Sequence, residues 1–182
     1  LKFLDFRAVA GDETLTESLR GHIMMLVKRQ DEFLSRMATL IARNRQPSGI
    51  LRVLRLPGHL SLEKTVDISA SGLEPLTDAA RLLALALAVP ESTTKDRIVA
   101  VSKKDPGVSR QCDEMSEALE LLLQLQIRHQ VELFGKGEVP HNVIEYGRLS
   151  SSERHHLREA FQAIHRIVDN IADHYRLRLI GV

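Results

Sequence analysis

Apolar positions recur at helical spacing over most of the chain and at strand spacing in one stretch. Leu15, Leu19, Ile23, Leu26, Phe33, Met37 and Ile41 follow at steps of three, four and seven residues. They form one apolar stripe, carried either by a single long helix or by two helices separated near Asp31. Thr14-Leu-Thr-Glu17 has the form of a capping box at its start, and Gln46-Pro-Ser-Gly49 stops it. The period then changes. Leu60, Leu62, Val66 and Ile68 alternate with polar residues through Ser69, and Ile50–Leu56 precedes them across a Pro57-Gly58-His59 turn. This pattern predicts a β-hairpin at about 50–69. From Leu73 to Val89 nearly every residue is Leu, Ala or Val, as expected of a buried central helix ended by Pro90. Ser92 or Thr93 is placed to cap a short helix through about Val101, and Lys103–Gly107 reads as a loop.

Ser109 to Phe134 predicts a long amphipathic helix, with Met115, Leu119 and Leu122 inside and Asp113, Glu117, Glu120 and Gln124 outside. Gly135 and Gly137 end it. Residues 138–149 read as a loop, and a second capping box, Ser150-x-x-Glu153, opens the last helix. The core stripe of that helix is Leu157, Phe161, Ile164, Val168, Ile171 and Tyr175. At the two ends, FLDFRAVA at 3–10 reads as a short strand with Asp5 and Arg7 on one side, and LRLIGV as a strand or extended tail. The expected fold class is mainly α, a helical bundle with a small β-hairpin insertion.

Composition agrees with that class. Aromatic residues make up 4% of the 182 and Trp is absent, so Leu, Ile, Val and Ala must build the core, which favours helices over a β-sandwich. With 25 basic and 24 acidic side chains the net charge is +1, which gives no electrostatic case for a nucleic-acid partner. Cys112 is the only cysteine, so neither a disulfide framework nor a cysteine-based zinc site is available. The longest apolar run, Leu82 to Val89, falls far short of the roughly 20 residues that span a membrane. Lys2, Asp5 and Arg7 rule out a signal-peptide reading of the start, so no membrane association and a cytoplasmic location are expected. The start at Leu1 rather than Met gives the further expectation of a piece cut from a longer protein.

Phosphate-cradling and dinucleotide-binding glycine loops are missing from the sequence, as is the hydrolase Gly-x-Ser-x-Gly elbow. His155 and His156 are adjacent, about 100° apart on a helix, and cannot chelate one metal from a straight helix. Arg158 and His165, seven apart, fall along one flank of the last helix. In small helical-bundle ribonucleases of the HEPN type an Arg and a His share a face in this manner and cut RNA. An RNA-cleaving bundle using Arg158 and His165 is therefore one alternative, against an ordinary solvated flank with ion pairs. A non-catalytic scaffold that forms a homodimer is another.

Four segments in order, FLDFRAVAGDETL at 3–15, VDISASGLEPLTDAARLLAL at 66–85, LLLQLQIRHQVEL at 121–133 and LSSSERHHLREAFQAIHRI at 149–167, resemble the C-terminal part of the DUF294-type nucleotidyltransferases. In that family cyclic-nucleotide-binding and CBS domains, modules of signal transduction, often precede the transferase. The resemblance implies a helical substrate-binding domain over 13–182, joined to a transferase domain whose last strand is represented by 1–12. It also implies transfer of a nucleotide from an NTP to an acceptor, a protein or a small molecule, with Mg²⁺ held by carboxylates. The family's Gly-Ser turn and Asp-x-Asp pair do not occur in this chain. The fragment alone is accordingly expected to be inactive and to hold no cofactor.

The same resemblance suggests residue roles. Asp5-Phe-Arg7 fits the Asp-x-Arg context of a third catalytic carboxylate, so Asp5 is a candidate metal ligand alongside upstream carboxylates, with Arg7 as its support. A salt-bridged strand end is the alternative. Lys64, Asp67, Arg81, Arg128 and His129 are the candidates for an acceptor-facing wall. Lys64 reads equally as an edge-strand residue that reaches to water, Arg81 as the partner of Asp78, and Arg128 and His129 as cations that complement a helix end. Ser69 stands where the family pattern usually carries Lys.

Overall fold

A computed structural model of the chain describes residues 5–27, 30–43 and 65–177. Among them the fold is mainly α, with six α-helices and one small two-stranded antiparallel sheet. The helices are α1 (Glu13–Val27), α2 (Asp31–Arg43), α3 (Glu74–Ala86), α4 (Thr94–Lys104), α5 (Ser109–Gly135) and α6 (Ser151–His174). The strands are β1 (Thr65–Asp67) and β2 (Val143–Glu145). No helix among the described residues is long and apolar enough to cross a membrane.

The first apolar stripe is split between two helices. Gln30 closes α1 by donating to the Val27 carbonyl (3.1 Å), and α2 then starts at Asp31. Asp12 rather than Thr14 caps α1, accepting from the Thr14 backbone N–H (2.9 Å) and hydroxyl (2.7 Å). Leu34, Met37, Ala38, Ile41 and Ala42 bury one face of α2, whereas α1 buries only Val27 and leaves Leu15 and Leu19 exposed. The stripe expected to be core throughout is therefore core only in its second half.

Helix α3 is the centre of the bundle and packs against α2, α4 and α6. It begins in a π-helical turn, Ser69–Leu73, in which the Glu74 N–H reaches back to the Ser69 carbonyl. Gly72 in that turn lies against α5 and α6: a Cβ there would stand 2.8 Å from Leu122 Cδ1 and 3.3 Å from Phe161 Cε1. The alternating pattern through Ser69 is thus strand only to Asp67, because from Ile68 onward the chain is helical. The other end of α3 closes with Ala88 in the left-handed region (φ 51°), Ala88 N–H donating to Leu85 and Val89 N–H to Ala84 (3.0 and 2.7 Å).

The strand β1 pairs with β2, which lies within the stretch expected to be loop; the register is Thr65 with Glu145, Val66 with Ile144 and Asp67 with Val143. Val66 and Ile144 are buried in the bundle core. The proposed hairpin partner, Ile50–Leu56, lies outside the described residues. Thr93 caps α4, accepting from the Asp96 N–H (3.1 Å), and the capping box of Ser150 and Glu153 forms in full. Helices α5 and α6 pack along each other, burying Met115, Leu119 and Leu122 against Leu157, Phe161, Ile164 and Val168.

Candidate functional site

Residues 5–11 form no strand. Asp5 lies in a 3₁₀ turn and the chain that follows is irregular. Side chains of the bundle satisfy this segment in place of a sheet ladder. Arg20 of α1 donates to the Phe6 carbonyl (2.8 Å) and to the Pro90 carbonyl (3.0 Å), and its guanidinium lies 4.9 Å from the centre of the Phe6 ring. The Asp5 carboxylate enters between two arginines that are 2% and 4% exposed, Arg81 of α3 and Arg97 of α4. Arg81 donates through Nε (3.2 Å) and Nη2 to the two oxygens of Asp5, and through Nη1 to Asp78. Arg97 lies 2.7 Å from Asp5 Oδ1 and donates from Nε to the Glu91 carbonyl (2.9 Å).

Two carboxylates thus face two guanidinium groups, and the buried charge balances. Burial pushes Asp5 upward, but its hydrogen bonds to Arg81 and Arg97 and their charge outweigh this and hold it below the ordinary value. Asp78 moves the other way, because burial outweighs the help it receives from Arg81. Burial also works against the charge on Arg81, yet the hydrogen bond and charge of Asp5 keep it firmly protonated. Both oxygens of Asp5 are already bound to cationic donors, so this arrangement does not fit a Mg²⁺ ion. Among the described residues no group of three or more metal-ligating side chains is present.

Arg128 and His129, expected to be part of an acceptor-facing wall, do share an opening. It is a cleft of about 420 Å³ between the C-terminal half of α5, β2 and the start of α6. Arg128, Lys136 and Arg148 line it together with Glu132, Glu138, Glu145 and Glu153. Arg128 is bound to Glu153, the capping residue of α6, and lies 4.0 Å from Glu132; Arg148 pairs with Glu145 (2.9 Å). The Ser150 backbone N–H and Arg128 together pull Glu153 down to about 2. His129 Nε2 lies 3.4 Å from Nδ1 of His141, on the loop that enters β2.

The remaining candidates lie apart from this cleft. Asp67 accepts the Ala70 N–H (3.0 Å) and so caps the π-helical turn. Arg81 is closed off in the ion pairs with Asp5 and Asp78. Arg7 is exposed and lines a separate cleft between α1 and the Pro90–Ser92 loop. Lys64 lies outside the described residues. Arg158 and His165 are half-buried, two turns apart on α6, and the Arg158 Nε has no hydrogen-bond partner. Sequence reasoning passed over Arg97, Arg20 and His141. Arg97 had a signal, since it stands one turn before Val101 beside Ile98, on the face of α4 that turns inward. His141 had none, because a loop residue meets a helix twelve positions away only through tertiary structure.

A helical bundle with a short sheet, a buried arginine pair and an open polar cleft is the setting in which comparison with known families becomes informative. The chain belongs to the family described as "Putative nucleotidyltransferase substrate binding domain" (DUF294_C), whose model matches residues 31–175. That description ties the domain to a nucleotidyltransferase. Comparison with curated proteins and with solved structures returned no match.

Proposed function

We propose that this domain recognises the acceptor for a Mg²⁺-dependent nucleotidyltransferase, and that the domain does not itself catalyse transfer. The family match over 31–175 carries this reading. The sequence supports it from the other side, since it holds neither a Gly-Ser turn nor an Asp-x-Asp pair to bind metal and triphosphate. NTP and Mg²⁺ belong, in this reading, to a transferase domain of the same protein.

The Arg128–His129 cleft is the acceptor face. It is open, it is lined by both donors and acceptors, and its main cation is held in place by Glu153. An acceptor carboxylate or hydroxyl entering there exchanges with Glu132 and Glu153 for Arg128 without any backbone movement. The segment around Asp5 and Arg7 is where the bundle meets the transferase domain, and the ion pairs of Asp5 with Arg81 and Arg97 fix that junction.

The test uses a protein that carries both domains, an NTP labelled at the α-phosphate, and cell extract as the source of acceptors. The chain of residues 1–182 alone should transfer no label. Arg128→Glu with His129→Ala in the two-domain protein should raise the acceptor concentration needed for half-maximal labelling while the saturated rate is kept. An unchanged acceptor requirement would remove this cleft from the acceptor site, and label transfer by residues 1–182 alone would overturn the division of labour.

A further inference from the structure

We infer that His129 and His141 form a bidentate site for a transition-metal dication, Zn²⁺ or Cu²⁺, independent of any Mg²⁺ used in nucleotidyl transfer. The distance carries the inference. Two imidazole nitrogens on one tetrahedral ion, each about 2.0–2.1 Å from it, stand roughly 3.3–3.4 Å apart. His129 Nε2 and His141 Nδ1 are 3.4 Å apart, with ring centres 5.0 Å apart and planes tilted by 59°. The separation is long for a hydrogen bond and matches the edge of a tetrahedron.

The pair is also pre-organised. His129 is fixed on α5. His141 is fixed by its neighbour Asn142, whose side-chain oxygen accepts from both Gln126 and Gln130 of α5 (2.8 Å each) and whose carbonyl accepts from Ile68 (3.0 Å). Binding therefore requires little ordering of the loop. It costs the hydrogen bond from the Val143 N–H to His141 Nδ1 (3.3 Å), because metal and N–H compete for one lone pair.

Charge favours a cation. The cleft around the pair carries four glutamates against three basic side chains, a balance of −1 with both histidines neutral. Nitrogen ligands select zinc and copper over Mg²⁺, which takes oxygen. Since no third protein ligand completes the set among the described residues, water fills the remaining positions and the ion exchanges readily.

Zn²⁺ is titrated into the apo chain against a chromophoric chelator, with Co²⁺ absorption as a report of coordination. One equivalent should bind, and excess Mg²⁺ should not compete. A chelate needs both arms. His129→Ala and His141→Ala should therefore each lower affinity about tenfold or more, and the double variant should bind no more weakly than either. His155→Ala with His156→Ala should leave the titration unchanged. Losses from the two single variants that add, or single variants that bind like the parent, would overturn the site. Thermal unfolding in EDTA, repeated with His141→Gln, confirms that the variants remain folded. Zn²⁺ should raise the melting temperature of the parent and not that of the variants.

Discussion

Replacing Asp5 by Asn keeps the shape of the side chain and removes its charge, and the structure says what this costs. Arg81 keeps Asp78, whereas Arg97 is left with its bond to the Glu91 carbonyl. Both guanidinium groups are at least 95% buried, so the site changes from neutral to one uncompensated positive charge. Breaking a fully buried ion pair by removing one partner costs about 3–5 kcal/mol. The Asp5 side chain is 31% exposed, and Asn can still accept one hydrogen bond, so water and the amide recover part of the loss. An expected destabilisation of about 2 kcal/mol remains. With a urea dependence of about 2 kcal/mol per molar, the unfolding midpoint should fall by about 1 M, read by far-ultraviolet circular dichroism. Added salt should leave the difference largely intact, because the pair is shielded from counterions. Arg97→Met should cost clearly less in the Asp5→Asn background than in the parent. A midpoint shift below about 0.25 M would refute the assignment of Asp5 as a structural anchor. Loss of nucleotidyl transfer in the two-domain protein with no loss of stability would instead favour Asp5 as a catalytic carboxylate.

Two further expectations concern packing and pH. Gly72→Ala pushes a methyl group into Leu122 and Phe161, both buried and unable to yield, and should cost about 1–3 kcal/mol; calorimetry should show a melting temperature several degrees lower, and an unchanged value would contradict the close approach. Glu153 is depressed from 4.5 to about 2, so its contribution to stability is complete above about pH 4.5 and is lost as pH falls toward 2. Glu153→Gln should lower stability at neutral pH by about 0.5–1 kcal/mol, a figure reduced for solvent screening, and should flatten the pH dependence of the unfolding midpoint in that window. An identical acid limb in the variant would exclude Glu153 as its source.

What could be read from the sequence depended on how local the determining interactions are. The limits of α4, α5 and α6 were legible because Thr93, Ser150 with Glu153, and Gly135 with Gly137 act within one turn of the helices they bound. The break near Asp31 was visible as one of two options, and only packing chose it. The strand β2 was missed because three residues carry too little alternation to stand out, and because its partner is more than seventy positions away. The start of the chain was misread as a strand because Phe3-Leu-Asp-Phe-Arg-Ala-Val alternates well enough. What decides its shape is the pull of Arg81 and Arg97 on Asp5, and of Arg20 on Phe6. At the candidate cleft, Arg128 and His129 were found through family resemblance, while His141 and Glu153 join them only through the fold.

The π-helical turn at Ser69–Leu73 has a consequence for how this domain can vary. Ser-Ala-Ser-Gly reads like spacer sequence, with small side chains and little apparent commitment. Yet the wider turn holds one residue more than an α-helix would, and that residue sets the phase between β1 and every later side chain of α3. Deleting any one of the four would leave their chemistry nearly unchanged and turn the whole central helix by about 100° relative to the sheet. Arg81 would swing away from Asp5, and Leu76 and Leu82 away from the core. This segment should accept many substitutions and almost no change of length, the reverse of what an ordinary linker tolerates.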